Sequence, residues 1–156
     1  MTYLIRKGEK KDVNAAHGLI MELAVYEKAP EQVTNTPEQM LIDGFGERPI
    51  FEFYVAEYDG QVVGLALYYT RYSTWKGRCI YLDDIVITES YRRRGIGKLL
   101  FDAVVKESVQ QKANLLTWQV LDWNEPAIEF YKKLDAAFDG EWINCKLTKE
   151  QLQNWQ

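Results

Sequence analysis

A chain of 156 residues is long enough for one domain with a sizeable core and too short for a multidomain machine. Hydrophobic residues at 47% and charged residues at 27% exclude a disordered or collagen-like polymer. With 19 Lys and Arg against 23 Asp and Glu the net charge is -4, so no global positive field recruits nucleic acid or an anionic membrane, and any anionic ligand needs a local site.

Residues Thr2 to Arg6 read as a short strand, and from Asp12 the apolar positions Val13, Ala16, Ile20 and Leu23 follow helical spacing. The polar stretch YEKAPEQV, Tyr26 to Val33, is either a solvated loop or a ligand surface. Thr36-Pro37-Glu38-Gln39 announces a second helix, with Thr36 as cap, Pro37 at the first helical position, Gln39 completing a capping box and Gly44 as its stop. FEFYVAEYDGQVVGLALYYTRY then predicts two strands joined by the Asp59-Gly60 hairpin. A turn at Trp75-Lys76-Gly77 leads to the strand RCIYLDDIVIT. The segment YRRRGIG opens a third helix with Ile96, Leu99, Leu100, Ala103 and Val104 on one face.

A strand from Leu115 to Leu121, a helix opening at Asn124-Glu125-Pro126, a strand around Trp142 to Leu147 and a capping box at Thr148 to Gln151 complete the chain. The order predicts an α/β sandwich with a mixed sheet, and no repeat or linker divides residues 1–156 into more than one domain.

Cys79 and Cys145 belong to no CxxC or Cys/His cluster, and the single histidine, His17, has no metal-ligand partner nearby in sequence. No metal site is expected, and a reducing cytoplasm is the default compartment. The N-terminus MTYLIRKGEKKD has no apolar signal region, and no apolar stretch approaches membrane-spanning length.

The chemistry concentrates in Arg92-Arg93-Arg94-Gly95-Ile96-Gly97-Lys98. Two glycines let backbone approach a bulky group, and the helix that follows turns unpaired amides toward the same point. Cations at a helix start oppose its dipole unless an anionic ligand compensates. A solvated basic loop with a glycine turn is the bland alternative. GIGKLL lacks the third glycine of GxGxxG and there is no GxxxxGK[ST], which disfavours NAD and ATP.

Strict alternation in RCIYLDDIVIT places Asp83 with Tyr81, Ile85 and Ile87 on one sheet face and Asp84 with Ile80, Leu82 and Val86 on the other. A carboxylate inside so apolar a strand is costly unless paired or wet, so at least one of them is expected to face a polar cleft. The alternative is a strand that ends in solvent there.

The pattern Arg-x-x-Gly-x-Gly, set by Arg92, Gly95 and Gly97, resembles the pyrophosphate-binding signature of the GNAT superfamily of N-acetyltransferases, whose members use acetyl-CoA. YEKAPEQV, DGFGE, YYTRYSTWKG, YLDDIVI and DWNEPAIEFYKK, in this order, extend the resemblance to the spermidine/spermine (diamine) N-acetyltransferase branch from about Tyr3 to Leu147.

That resemblance implies a mixed sheet flanked by helices with splayed central strands. It also implies a cytoplasmic homodimer that transfers acetyl from acetyl-CoA to a primary amine in a direct ternary complex. It assigns cofactor contacts to the backbone of Ile85, Val86 and Ile87, to the loop Arg92, Arg93, Arg94, Gly95, Ile96, Gly97 and Lys98, and to Asn124, Glu125, Pro126 and Ala127. Tyr131 matches the catalytic tyrosine that protonates the departing thiolate, and Asp83 stands where the family has an acidic residue, usually Glu, at the amine. Tyr26, Glu27, Trp75, Asp83, Asp84 and Glu141 are the corresponding substrate side.

Asp135 replaces the glycine that commonly ends the tyrosine's helix; if that position needs a positive φ, Asp tolerates it better than most residues, at some cost. The small cationic acceptor is read as a polyamine or diamine. A thialysine-type amino acid, a protein amine and a noncatalytic acyl-CoA-binding module remain the other readings.

Overall fold

A computed structural model describes residues 2–156, which divide into two compact units, one ending at Gln119 and the other spanning Val120–Gln156. The first holds β1 (Leu4–Lys7), α1 (Val13–Tyr26), α2 (Pro37–Phe45), β2 (Glu52–Tyr58), β3 (Gln61–Ser73), β4 (Gly77–Ile87), α3 (Ile96–Gln110) and β5 (Leu116–Thr117). Its sheet has the order β1-β2-β3-β4-β5. The first four strands pair antiparallel, and only β4 and β5 are parallel. That reversal needs a crossover, which α3 supplies.

The hairpin between β2 and β3 turns on Asp59 and Gly60, both at positive φ (49° and 74°), the backbone that matches strand twist. One sheet face buries Phe53, Val55, Leu65, Leu67 and Val86 with Val13, Ala16 and Leu19 of α1 and Met40 of α2. Each such side chain contributes roughly 1.5–3 kcal/mol by leaving water. On the opposite face α3 approaches closely at Gly64, where a Cβ would stand 3.0 Å from Leu100 Cδ1 and 2.9 Å from Ile87 Cδ1. Arg6 fastens β1 to both neighbours, donating to Asp12 at 2.7 and 3.0 Å and to Glu57 at 2.8 Å.

The second unit contains α4 (Glu125–Lys133) and α5 (Lys149–Gln153). Asn124 caps α4 through Ala127 N at 3.4 Å, and Thr148 and Gln151 form the expected capping box on α5. Asp135 takes φ 59°, so the position does need the left-handed conformation that the replaced glycine would adopt freely. The Ala136 amide donates to the Tyr131 carbonyl and the Asp135 amide to that of Lys132, so the helix ends in a Schellman motif without glycine.

Several sequence expectations are corrected. The first strand starts at Leu4 instead of Thr2. Gly44 does not stop α2, which runs to Phe45. Gly44 instead admits the Phe51 ring, whose Cζ would lie 2.6 Å from an added Cβ. Thr36 accepts from Gln39 N, but the Gln39 side chain donates to Asp43 instead of closing a capping box. On α3 Leu99 is exposed, and Phe101 and Ser108 are buried in addition to Ile96, Leu100 and Val104.

The strand expected over Leu115 to Leu121 shrinks to Leu116–Thr117, and residues 142–147 form no strand although their alternation suits one. An isolated segment has no ladder to join within its unit, and period-two patterning alone does not supply one. No helix among the described residues is long and apolar enough to cross a membrane.

Candidate functional site

The centre of the first unit is a divergence of strands. β4 pairs with β5 only at Ile80–Leu116 and Tyr81–Thr117. Leu82–Ile87 runs on past the last of these pairs, held on its other side by β3 through Ile85–Ala66, Val86–Leu65 and Ile87–Gly64. The splay expected of the central strands is therefore present, and it leaves the backbone edge of Ile85, Val86 and Ile87 beyond the β5 ladder.

The chain then passes through a short 3-10 turn, Glu89–Tyr91, to the basic loop and α3. Arg93 and Gly95 sit at φ 62° and 80°, left-handed turns of the kind that aim successive amides at an anion. Gly95 is the N-cap of α3 and offers no side-chain acceptor, and the first intrahelical bond is Leu99 N to Gly95 O. The amides of Ile96, Gly97 and Lys98 precede that bond and point out of the helix start. A Cβ on Gly95 would meet nothing within 4 Å, so there is room at this mouth. Arg93, Arg94 and Lys98 are exposed around it. This donor set fits a diphosphate.

Arg92 is used differently from its neighbours. Its Nε donates to the Ile87 carbonyl at 3.0 Å, its guanidinium lies 5.2 Å from the centroid of the Tyr26 ring, and Glu22 is 3.8 Å away. The other contacts of Glu22 hold the same turn, accepting from the Thr88 hydroxyl and the Glu89 amide, both at 2.8 Å. The last turns of α1 are thereby braced against the start of the basic loop. Arg94 lies over Tyr91 at 4.9 Å and donates to the Ser90 carbonyl, while Lys98 pairs with Asp102 one turn along α3.

The two aspartates do not divide between the faces of the sheet. Leu67 is opposite Asp84 and Tyr68 is opposite Leu82, so Asp83 is the extra residue of a β-bulge. The inserted residue resets the alternation: Asp84 shares the face of Leu67, and Asp83 accepts from the hydroxyl of Tyr69, on that same face, at 3.3 Å. Both carboxylates thus lie on the face that α1 covers. Asp84 is pushed up to about 7, first by burial and then by repulsion from Asp83 and Glu27. Glu27, at the end of α1, is itself raised by burial. With Asp83 beside them, the partly buried carboxyls of Asp84 and Glu27 are harder to ionise together, and a nearby cation would relieve that cost.

In the second unit Tyr131 is buried on α4, four residues after Ala127. Glu125 and Pro126 occupy its first turn. Glu141 is exposed, its amide donating to Asp139, whose other oxygen accepts from the indole of Trp142 at 2.6 Å.

The structure brings Glu27, Asp83 and Asp84 together and places Tyr26 against Arg92. It does not bring Trp75 to them. Trp75 is 83% exposed at the β3–β4 tip, and Gly77 to Asp83 alone is about 20 Å of strand. Sequence reading missed Glu22, one helical turn before Tyr26 on the same face, a spacing that was available as a signal. It also missed Tyr69, whose link to Asp83 depends on cross-strand register and left no trace in the sequence.

Residues 19–136 match the family model described as "Acetyltransferase (GNAT) family". The chain is 42% identical over 141 residues to the thialysine N-epsilon-acetyltransferase of Bos taurus, covering 85% of this chain and 83% of that one. It is 30% identical over 160 residues to spermidine/spermine N(1)-acetyltransferase-like protein 1 of Homo sapiens, covering 96% of this chain and 23% of that one. Among solved structures, an aminoglycoside N-acetyltransferase in complex with CoA superposes with a TM-score of 0.76 at 19% identity, covering 94% of this chain and 95% of that one. An integron cassette protein from the mobile metagenome of V. cholerae superposes at 0.79 and 21%, covering 98% of this chain and 96% of that one.

Proposed function

This chain belongs to the acetyltransferase (GNAT) family, and we propose that it acetylates a primary amine of a small aliphatic diamine or polyamine, diamino acids included, in a direct ternary complex. Acetyl-CoA is the cosubstrate and supplies the acetyl group as a thioester. The observation that carries the acceptor class is the gathering of Glu27, Asp83 and Asp84 on one sheet face, where cationic nitrogen is the fitting guest. The named substrates of the thialysine and spermidine/spermine relatives support it.

In this reading the amides at the start of α3, with Arg93, Arg94 and Lys98, hold the diphosphate. The edge of Ile85, Val86 and Ile87 receives the pantetheine arm as an added strand would be received. Asn124, Glu125, Pro126 and Ala127 give a second contact to the cosubstrate. Arg92 acts from behind, shaping the loop while braced by Tyr26.

Only the neutral amine attacks a thioester, and an alkylamine has a pKa near ~10.4. Moving its proton to an ordinary aspartate near ~3.9 costs about 9 kcal/mol, whereas moving it to a carboxyl near ~7 costs about 4–5 kcal/mol. Asp84, pushed up to about 7, is therefore the better base, and the exposed Asp83, fixed by Tyr69, holds the cation. This division refines the expectation that Asp83 itself serves the chemistry. The first amine proton goes to Asp84, the new bond joins nitrogen to the acetyl carbon as the carbon–sulfur bond breaks, Tyr131 gives its hydroxyl proton to the departing sulfur, and the second nitrogen proton, shed as the amide forms, returns through water to the Tyr131 oxygen. Tyr26, Glu27 and Glu141 complete the acceptor side, and Trp75, at the far tip of the β3–β4 hairpin, takes no part in it.

The same reading takes residues 1–156 as one N-acetyltransferase domain, supported by a family match that spans most of the first compact unit and extends into the second as far as residue 136. It takes the protein as a cytoplasmic homodimer without nucleic-acid or membrane partners. Trp142 and Ile143, exposed at 71% and 87% in a strand-like segment, support a second copy as their cover, and the free thiols of Cys79 and Cys145 suit a reducing compartment.

The test is CoA release over a panel of small amines, amino acids and peptides, with Asp84→Asn and Asp83→Asn beside the parent. Diamines and diamino acids should lead the panel, and Asp84→Asn should lose most of kcat. Turnover on peptides alone, or binding of acetyl-CoA with no acceptor turned over, overturns the reading.

A further inference from the structure

The last turn of α1 is fastened to the segment that leaves β4 by two side chains on one helix face. Glu22 accepts from the Thr88 hydroxyl and the Glu89 amide, both at 2.8 Å. Four residues on, the Tyr26 ring lies 5.2 Å from the Arg92 guanidinium, whose Nε donates at 3.0 Å to the Ile87 carbonyl. Tyr26 is the last residue of α1 and Glu27 its C-cap, after which Lys28 turns away at φ 64°. Terminal turns of helices fray first, and a lysine in the left-handed region adds nothing to hold this one. Glu27 is close enough to Asp84 to oppose its ionisation. The stack of Tyr26 on Arg92 therefore joins the acceptor carboxylate Glu27 on one side to the Ile87 edge and the basic loop on the other.

We propose that Tyr26 is a positioning residue that couples the two substrate sites through Arg92, so that occupancy of either site raises affinity at the other. The inference rests on the amine-acetyltransferase reading above and deepens it by giving Tyr26 a role other than contact with the amine. The reason is conformational entropy. An edge and loop engaged at Ile87 and at Arg93 to Lys98 hold Arg92 still, and a fixed guanidinium holds the Tyr26 ring and with it the last turn of α1. The amine then meets a Glu27 already in place and does not bear the cost of ordering it. Linkage makes the effect reciprocal and equal in both directions. An arginine–tyrosine stack at a partly exposed position limits it to roughly five- to tenfold.

Calorimetry with free CoA, which has no acetyl group to transfer, reads the coupling without turnover. In the full-length parent, saturating cadaverine or L-lysine should tighten CoA binding about fivefold or more. Tyr26→Leu should reduce that shift to less than about twofold, and Arg92→Lys, which keeps the charge but not the flat stack, should do the same. Tyr26→Phe should retain the parent's shift, because the ring and not the hydroxyl makes the contact. Amide hydrogen exchange gives a second readout at Glu27, Lys28 and Ala29, whose amides donate to the carbonyls of Leu23, Val25 and Ala24. CoA alone should slow their exchange in the parent and not in Tyr26→Leu. The coupling is overturned by a shift that survives in either Tyr26→Leu or Arg92→Lys, by one lost in Tyr26→Phe as fully as in Tyr26→Leu, or by a parent whose CoA affinity saturating amine leaves unchanged. Each of these leaves amine acetylation standing. A parent that binds CoA and acetylates no amine in the panel overturns the underlying reading as well.

Discussion

Asp84 is paired across the β3–β4 ladder with Leu67, so a carboxyl group projects from the sheet face that also carries Leu65 and Val86. Its ordinary value of 3.8 is raised to about 7, chiefly by burial. For an acid whose folded value exceeds its unfolded one, the fold binds the extra proton. Its contribution is fully present below pH 3.8, is lost as pH rises to about 7, and changes no further above that. The change at stake is roughly 2–4 kcal/mol. Asp84→Asn should remove this slope, so that urea unfolding shows the variant more stable than the parent at pH 8 and similar at pH 4. Binding of a cationic acceptor should release protons from the parent near pH 7, and calorimetry in buffers of different ionisation heat reads that release directly.

Glu22 and Arg92 hold the start of the basic loop from two directions, and each is partly buried. Glu22→Ala removes the acceptor of the Thr88 hydroxyl and the Glu89 amide and should cost about 1–2 kcal/mol in denaturant unfolding. Arg92→Ala should raise KM for acetyl-CoA about tenfold. Arg92→Lys should recover only part of that, because an ammonium does not stack flat on Tyr26 while donating to Ile87. An unchanged KM in Arg92→Ala would show that the loop keeps its shape without the brace.

Tyr131→Phe keeps the buried ring and removes the hydroxyl. The expected result is a fall in kcat of about tenfold to a hundredfold with KM for acetyl-CoA nearly unaltered. The loss should shrink for a thioester whose leaving thiol has a lower pKa, since such a thiol needs less protonation. A constant loss across leaving groups would argue for a packing role.

Three helices end on residues in the left-handed region: α1 at Lys28 (φ 64°), α3 at Lys112 (φ 58°) and α4 at Asp135 (φ 59°). A lysine gains nothing locally from that conformation, whereas aspartate tolerates it. Lys112→Gly should stabilise the protein by about 0.5–1 kcal/mol, after allowing for the freer unfolded chain, and Asp135→Gly by less. Thermal unfolding of the pair gives the ranking.

Assembly is tested by light scattering at several concentrations. A mass near twice 18.2 kDa is expected of the parent, and Ile143→Glu, at a position 87% exposed in the single chain, should shift it toward the monomer.

The local features were written in the residues themselves. Asp59-Gly60, Thr36-Pro37, Asn124-Glu125-Pro126 and the Thr148 to Gln151 box each act through neighbours within four positions, and each stands where it was expected. The turn and helix start of the basic loop were legible for the same reason, because glycine spacing and a following helix start act without reference to anything distant.

What escaped were relations between strands. Strict alternation sends Asp83 and Asp84 to opposite faces, and one bulge, set by the pairing of β3 with β4, sends them to the same one. Alternation in residues 142–147 promised a strand, but a strand exists only when another offers its edge. Composition and short-range spacing were enough for the helices, the turns and the glycine-containing start of α3, whose hydrogen bonds close within a few residues. Which carboxylates share a face was decided by register between distant segments, where a shift of one residue turns every later side chain around.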